Sequence, residues 1–347
     1  MKRIFAKTTS TLAFMVGLSV CTAYAAEINM KFATPSIYNP KEISIHWLPK
    51  AQLKNEIEAR SGGRISVKLF AKGQLGKTED LPNQLRAGVI QGFDCSDGPL
   101  APLFSDIQIL SIPYLFKNRE IAWEVMDGPF GDELADRMAK QTGLRPLAYS
   151  DLGYRHFSTK DQAITKVEDM KGMKIRTMTN PVHMAMVEAL GAHPTPVAWD
   201  ELYTALQTGV VNGQENPIGN FIQPKLFEVQ HHLTLDGHIL LVYFYLVNDA
   251  WYQALSEEDK GIVKQAYKVA AVTMRGVSVA TEQRDTETLQ EEGMTIHPVP
   301  AAEKAKFQKL SQAAVLPMIK EQVDAELIDL LYSEIAKAEK KFGYQPE

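Results

Sequence analysis

Short apolar runs alternate with segments of helical periodicity along the N-terminal half of the chain. Three runs have the composition or alternation of strands: Ile28–Ala33, Ile65–Phe70 and Val89–Cys95. Two segments with helical spacing of apolar residues lie between them, Ile43–Arg60 and Leu81–Arg86. Strands that alternate with helices predict an α/β sheet with helices on both faces.

The same alternation continues further along the chain. Leu144–Ser150 resembles a strand, and a new strand-like segment starts at Gly153 as a possible crossing between domains. Ile239–Val247 is long and apolar enough for a central strand, whereas Pro113 excludes Ile107–Phe116 from such a position. From Ser256, a helix cap, helical periodicity continues to about Glu292.

Polar residues follow the predicted strands where a ligand would be expected. In open α/β sheets, ligands bind beyond the carboxyl ends of the strands. Thr34 follows the first predicted strand, and Ser96 and Asp97 follow the third. Glu79 opens the next helix, where it is either a favourable charge at a helix N-terminus or an acceptor for ligand hydroxyls or for an arginine.

Two arginines lie on short β-like runs. Arg155 and Arg176 are 21 residues apart, and adjacent strands could bring both guanidinium groups to one site. Arginine pairs with both oxygens of a carboxylate and stays charged. Asn216 follows in what the Gly/Asn/Pro pattern predicts to be a turn. The chemistry alone leaves two interpretations open, a carboxylate site and ordinary surface arginines.

The first 26 residues have the features of a secretory signal peptide. A basic start, an apolar stretch from Leu12 to Val20 and the cleavage pattern Ala23-Tyr24-Ala25 predict cleavage near Ala25 or Ala26. Removal of three basic residues changes the formal charge from −5 to −8. An acidic exported protein is a poor candidate for nucleic acid or anionic membranes. We expect a monomer in the periplasm.

Several other chemistries have weak support. Cys95 is the one cysteine left after cleavage and is expected to be a small buried hydrophobe. The segment Gly73–Thr78 lacks the first glycine of a phosphate-binding loop, because Ala71 occupies that position. The adjacent His231 and His232 lack metal-ligand spacing, and no G-x-S-x-G motif occurs. We therefore expect no metal, no cofactor and no catalysis.

The central block resembles a known family, the solute-binding proteins of TRAP transporters (tripartite ATP-independent periplasmic transporters), or DctP family. The resemblance covers essentially the whole mature chain. The motifs that carry it are Gln74-Leu75-Gly76, Gly153-Tyr154-Arg155, the run Asp169–Arg176, Leu190-Gly191-Ala192, Pro194-Thr195-Pro196, the run Glu201–Val211 and Gly213-Gln214-Glu215-Asn216-Pro217.

The resemblance implies roles for particular residues. In that family the arginine of the K-I-R segment, here Arg176, forms a bidentate salt bridge with the substrate carboxylate. By the same resemblance, Arg155 and Asn216 also bind the substrate carboxylate. Glu79 is a less firm match for a residue that contacts polar groups of the ligand. The family usually has aspartate where this chain has Asn212. Aromatic surface near the site is expected from Tyr154 and Trp199.

The resemblance also implies the fold, an α/β clamshell of two lobes joined by crossing strands and a long spanning helix. We predict that residues 27–152 plus 242–281 form one lobe and that residues 153–241 plus 282–347 form the other.

The function implied is capture of a small organic acid, a C4-dicarboxylate or a sugar acid, for delivery to TRAP membrane permease subunits. Arg155 would provide the second cation that a dicarboxylate needs. The alternatives are an ABC-type organic-anion binding protein and an α/β enzyme that acts on a carboxylate.

Overall fold

The computed structural model describes residues 28–37 and 44–344. The predicted signal peptide and the expected start of the first helix at Ile43 lie outside these residues. The strands are β1 Ile28–Ala33, β2 Ile65–Phe70, β3 Gly92–Ser96, β4 Leu144–Thr159, β5 Lys174–Thr177, β6 His193–Pro196, β7 Gly213–Pro217, β8 His232–Asn248 and β9 Thr295–Pro298. The α-helices are α1 Leu48–Arg60, α2 Leu81–Arg86, α3 Arg119–Met126, α4 Pro129–Thr142, α5 Pro181–Ala189, α6 Leu202–Gln207, α7 Gly219–Ile222, α8 Asp249–Gln253, α9 Glu257–Glu291, α10 Ala301–Gln322 and α11 Ala325–Lys341.

The described strands form one mixed sheet. Its order is β2-β1-β3-β8-β4-β7-β5-β6, and β9 pairs with the start of β8. On one side, β1 runs parallel to β2 and β3; on the other, β5 runs parallel to β6 and β7. We call these the β1 side and the β5 side. The long antiparallel pair β4 and β8 joins them.

Strand β4 unites two segments that the sequence suggested were separate. Its pairing with β8 shifts register between Asp151 and Tyr154, so the strand continues through an irregular crossing. Gly153 lies there with φ +102°, and a Cβ at this position would stand 2.8 Å from Nη2 of Arg119. Only glycine adopts this backbone conformation readily. The irregularity at Gly153 therefore lies within one strand rather than at the start of a new one, and its role as a crossing between domains stays a prediction.

Three buried apolar clusters stabilise the two sides of the sheet. Cys95 is 1% exposed and packs in the largest of them, as predicted for a small hydrophobe. Ile107 and Ile109 are also fully buried in this cluster, on a 3₁₀ helix from Ser105 to Ser111 rather than on a strand. This confirms the prediction made from Pro113.

The helix α9 has the length that the sequence predicted. Ser256 accepts the Asp259 backbone N–H at 3.1 Å and so caps its start. Helix α9 packs against α1 and β4. The helices α10 and α11 are separated at Asp324, whose side chain caps α11.

The last two helices pack against different parts of the molecule. Helix α10 lies against α5, whereas α11 lies against α3 and α4. The exact division of the chain into lobes stays a prediction. Among residues 28–37 and 44–344, no helix combines the length and the apolar character of a membrane span.

Candidate functional site

A cavity lies where the β1 side and the β5 side meet. Ends of β1, β3, β5 and β7 reach it, and Leu152 and Leu241 line it from the crossing of β4 and β8. This is the edge where the sequence predicted a ligand. The remaining lining residues are Pro35, Ser36, His46, Thr78, Glu79, Cys95, Ser96, Gly98, Pro99, Arg155, Arg176, Met178, Thr179, Trp199, Asn216, Asn220, Gln223 and Tyr243.

Six of the nine predicted site residues line this cavity and three do not. Those that line it are Arg155, Arg176, Asn216, Glu79, Ser96 and Trp199. The other three form hydrogen bonds inside the protein. Thr34 donates to the Ser36 hydroxyl at 3.1 Å, Asp97 accepts from Nδ2 of Asn180 at 2.6 Å, and Tyr154 donates to the Phe116 carbonyl at 3.1 Å. Their direct contact with a ligand stays a prediction.

Arg176 presents a buried cation to the cavity. It lies on β5 and is 2% exposed, and its Nε donates to the Val197 carbonyl at 2.8 Å. Among the described residues, no carboxylate forms a salt bridge with it. Burial, and then the charge of Arg155, lower the pKa of Arg176 to about 10. Both effects show that its charge is costly without an anion beside it.

Arg155 has a partner that sequence reasoning did not identify. Its Nη2 donates to Oε1 of Glu215 at 2.8 Å and to the Glu215 carbonyl at 2.5 Å, and its Nε donates to Oε2. Both side chains are fully buried. The charge of Arg155 is thus balanced within the protein. The motif Gln214-Glu215-Asn216 contained the partner, but its spacing from Arg155 gave no sign of the contact.

Two structural expectations at this point were wrong. Arg155 on β4 and Arg176 on β5 are not on adjacent strands, because β7 lies between them. Asn216 is not in a turn but within β7, opposite His156 of β4. The side chains of Gln214 and Glu215 find buried partners on and near β4, which stabilises the extended conformation.

A chain of amides orients Asn216. Its Nδ2 donates to Oε1 of Gln214 at 2.5 Å, and its Oδ1 accepts from Nδ2 of Asn220 at 2.9 Å. Gln214 in turn donates to the Ser158 hydroxyl at 2.7 Å. An amide nitrogen carries two hydrogens, so Asn216 and Asn220 each have one that lacks a partner among the described residues.

Glu215 belongs to a larger buried network of acids and histidines. Nε2 of His238 lies 3.1 Å from Glu215, and Nδ1 of His238 lies 2.7 Å from Asp236. Burial opposes the charge of each group, but the opposite charges prevail. Asp236 and Glu215 raise the pKa of His238 to about 9, and His238 lowers the pKa of Asp236 to about 2. Despite burial, Arg155 and the neighbouring histidines hold the pKa of Glu215 well below its ordinary value.

His46 is a lining residue that the sequence did not suggest, since it belongs to no recognised motif. It is 7% exposed and precedes α1. Burial and the nearby Lys50 ammonium lower its pKa to about 3, while a hydrogen bond to the Gly219 backbone acts in the opposite direction. The ring is therefore neutral at pH 7. Lys50 itself pairs with Asp94 at 2.8 Å, both fully buried.

Three lining side chains hold a buried polar atom that lacks a hydrogen-bond partner within residues 28–37 and 44–344. The atoms are Nη1 of Arg155, Oε2 of Glu79 and Nε2 of His46. Buried polar groups in proteins are nearly always hydrogen-bonded. Atoms of this kind around a cavity indicate a polar ligand.

Polar contacts close the mouth of the cavity between the two sides. Asp200 accepts the Thr78 backbone N–H at 2.8 Å, and Glu201 pairs with Lys77 at 2.9 Å. Elsewhere on the rim, Gln223 donates to the Ile37 carbonyl at 3.0 Å and accepts its N–H at 3.3 Å. These contacts join the β1 side and the β5 side next to the cavity. Within the same residues, no group of three or more metal-binding side chains occurs.

Comparisons with known proteins show similarity in both sequence and fold. Residues 40–322 match the model of the DctP family, described as bacterial extracellular solute-binding protein, family 7. The chain belongs to this family of TRAP solute-binding proteins, as its motifs suggested. A solute-binding protein of Verminephrobacter eiseniae is 35% identical over 252 residues, which cover 73% of this chain and 74% of that protein.

Two solved structures illustrate the similarity of the fold. The sugar acid binding protein DctPAm from Advenella mimigardefordensis, in complex with galactonate, has a TM-score of 0.83 and 29% identity, covering 90% of this chain and 99% of that one. A TRAP periplasmic solute binding protein from Sulfurospirillum deleyianum with bound succinate has a TM-score of 0.81 and 27% identity, covering 89% and 99%. The predicted two-lobed α/β binding-protein fold is confirmed.

Proposed function

We propose that this protein captures a small organic acid through a salt bridge between Arg176 and the ligand carboxylate. The observation that carries the proposal is the buried guanidinium of Arg176, which lines the cavity and has no carboxylate partner in the described part of the chain. Relatives with bound galactonate or succinate support the class of ligand, a sugar acid or a C4-dicarboxylate.

The neighbouring residues have supporting roles in this proposal. Nη1 of Arg155 has no hydrogen-bond partner among the described residues and would be available to the ligand, and the pairing of Arg155 with Glu215 fixes the position of that nitrogen. Asn216 contributes an amide hydrogen. Closure excludes water and lowers the local dielectric constant, which strengthens charged contacts. The ligand favours the closed state only to the extent that it binds that state more tightly.

The wider role is transport without chemical change. The protein would be exported by its signal peptide, cleaved near Ala25 or Ala26, and would deliver the acid from the periplasm to TRAP membrane permease subunits. Curated relatives such as the C4-dicarboxylate-binding periplasmic protein DctP of Rhodobacter capsulatus support this location. Uptake of a labelled acid by cells lacking this chain should return with the wild-type protein and fail to return with Arg176→Ala.

A thermal-shift screen tests the binding proposal. Galactonate and succinate represent the two acid classes, and galactose is the uncharged control. A ligand that binds the folded state raises the unfolding temperature by mass action. We expect at least one acid, and not galactose, to raise it, and the acid to be recovered unaltered after incubation. Stabilisation by galactose alone would contradict carboxylate recognition, and conversion of the acid would favour the enzyme alternative.

A further inference from the structure

We infer that the cavity selects a polyhydroxylated monocarboxylate, such as an aldonate, and that His46 and Glu79 accept its hydroxyl groups and disfavour a second carboxylate. This inference rests on the proposed function, because it assumes that one carboxylate pairs with Arg176. It narrows the ligand to one of the two classes above and assigns specificity to the β1 side of the cavity.

The charges around the cavity favour one carboxylate over two. Among the described lining residues, the charged groups are Arg155, Arg176 and Glu79. Glu215 already neutralises Arg155 by two side-chain contacts. One cation is therefore available for a ligand anion, and one carboxylate of the protein faces the same space. Among these described residues, a second ligand carboxylate would find no unpaired cation and would lie near a like charge, which is costly in a desolvated site.

Glu79 is arranged to receive hydrogen-bond donors. Its Oε1 accepts the Trp199 backbone N–H at 3.3 Å, which holds the side chain at the cavity. Its Oε2 is buried and has no partner in the described chain. An ionised carboxylate only accepts hydrogen bonds, so a ligand hydroxyl can complete this atom and a ligand carboxylate cannot.

His46 adds a neutral group to the same wall. Burial, and then the nearby charge of Lys50, lower the pKa of His46 and favour the uncharged ring. A hydrogen bond to the backbone of Gly219 that raises its pKa makes the imidazole the donor there. The neutral ring then has one bare nitrogen, and the atom without a described partner is Nε2. A ligand hydroxyl can donate to it, whereas an anion finds neither a proton nor a charge.

The consequence is an asymmetric discrimination. A site built with buried polar groups rejects a ligand that leaves them unpaired by much more than a methylene difference would. Hydroxyl groups satisfy the acceptors Glu79 Oε2 and His46 Nε2. The aliphatic acid hexanoate leaves both unpaired, and a diacid of the same chain length adds charge repulsion.

Calorimetry with a matched set of ligands tests this inference. Galactonate and galactarate differ at the end of the molecule opposite the shared carboxylate, where galactonate has a hydroxymethyl group and galactarate a second carboxylate. Hexanoate and succinate have no hydroxyl groups. We expect wild-type protein to bind galactonate at least about 100-fold more tightly than galactarate, hexanoate or succinate. Tighter binding of succinate or galactarate would overturn the inference while leaving the proposed carboxylate site intact. Failure of all four acids to bind would contradict the proposed function itself.

Variants assign the selectivity to the two residues. Glu79→Gln should weaken galactonate binding at least about tenfold and reduce the preference for galactonate over galactarate by a similar factor. Asp80→Asn is the matched control, because it removes a carboxylate one position along that is exposed and does not line the cavity. His46→Ala should also weaken galactonate more than hexanoate. Far-UV circular dichroism and thermal unfolding show whether each variant is folded.

The outcomes for the variants are equally specific. If Glu79→Gln and His46→Ala fold and both keep the wild-type ratio of galactonate to galactarate affinity, these residues do not select the ligand. If either is unfolded, His46→Gln and Glu79→Asp give the same comparison with smaller changes of volume. An equal change in Asp80→Asn would show a general effect of charge and would contradict the assignment.

Discussion

Arg155 and Arg176 lie on the two strands that flank β7, and only Arg155 has a carboxylate partner in the described protein. Arg155 is neutralised by Glu215 of β7, whereas Arg176 lines the cavity and forms no salt bridge with a described carboxylate. Arg155 therefore helps to form the site, and Arg176 is the group that an anion would neutralise. We therefore expect replacement of Arg155 to affect mainly the stability of the fold and replacement of Arg176 to affect mainly ligand binding.

The Arg155–Glu215 pair should be a strong determinant of stability. Removal of one partner leaves the other charged and buried, which typically costs about 3–5 kcal/mol. We expect Arg155→Met and Glu215→Gln each to lower the free energy of unfolding by this order. The double variant should lose clearly less than the sum of the two. Urea denaturation of the four proteins measures the coupling, and additive losses would show that the pair is not coupled.

The histidine network should make stability depend on pH on the alkaline side. The pKa of His238 is about 9 in the folded protein and about 6.5 in an unfolded chain. Because the folded value is raised, this contribution is complete below about pH 6.5 and is lost as the pH rises through about 9. The loss should be on the order of a few kcal/mol.

Denaturation curves at pH 6.5, 7.5, 8.5 and 9.5 check this dependence. His238→Gln should be less stable at pH 6.5 and show a flatter profile than the wild type. His231→Gln is the control, since His231 is exposed and its ring forms a hydrogen bond with the Lys160 carbonyl rather than with an acidic residue. A profile of His238→Gln parallel to that of the wild type would exclude His238 as the source.

The contacts at the cavity mouth should control how long the ligand stays. Asp200 accepts the Thr78 N–H from the opposite side, a hydrogen bond to a charged group. We expect Asp200→Asn to speed ligand dissociation by about tenfold without a change in ligand preference. Lys77→Gln should have less than about a fivefold effect, because its pair with Glu201 is exposed.

Stopped-flow fluorescence can follow this dissociation, because Trp199 lies next to Asp200 at the cavity. Mixing the complex with an excess of a competing acid displaces the bound ligand and gives the rate of ligand dissociation for each variant. Equal rates for wild type and Asp200→Asn would show that these contacts do not hold the closed state. A change in the ratio of affinities for two acids would show that Asp200 acts on the ligand instead.

Local patterns predicted the elements whose stability is local. Ile28–Ala33 and Ile65–Phe70 have the predicted bounds, because period-2 alternation and turn residues define a half-buried strand. Helix α9 also has nearly the predicted bounds, because its cap at Ser256 is a local signal. Strand β4 was divided in the prediction because Leu152-Gly153 resembles a break, and only pairing with β8 carries the strand through it.

Site residues that belong to a sequence motif could be predicted. Contacts that depend on the packing of segments distant in the sequence could not. Arg176 and Asn216 were candidates from the local residue pattern, the family resemblance assigned their roles, and both line the cavity. The partner of Arg155 depends on the order of strands in the sheet, which places β7 beside β4. His46 precedes α1 and lines the cavity close to the backbone of Gly219, which is distant from it in the sequence. No spacing in the sequence encodes these contacts.

The most direct test of the central claim is calorimetric binding of galactonate to wild type and to Arg176→Met. Loss of the buried charged contact should weaken binding by on the order of 2–5 kcal/mol. Because the variant also removes an unbalanced buried charge, its ligand-free form should be at least as stable as the wild type in thermal unfolding. If a folded Arg176→Met bound the acid as tightly as the wild type, Arg176 would not be the carboxylate anchor.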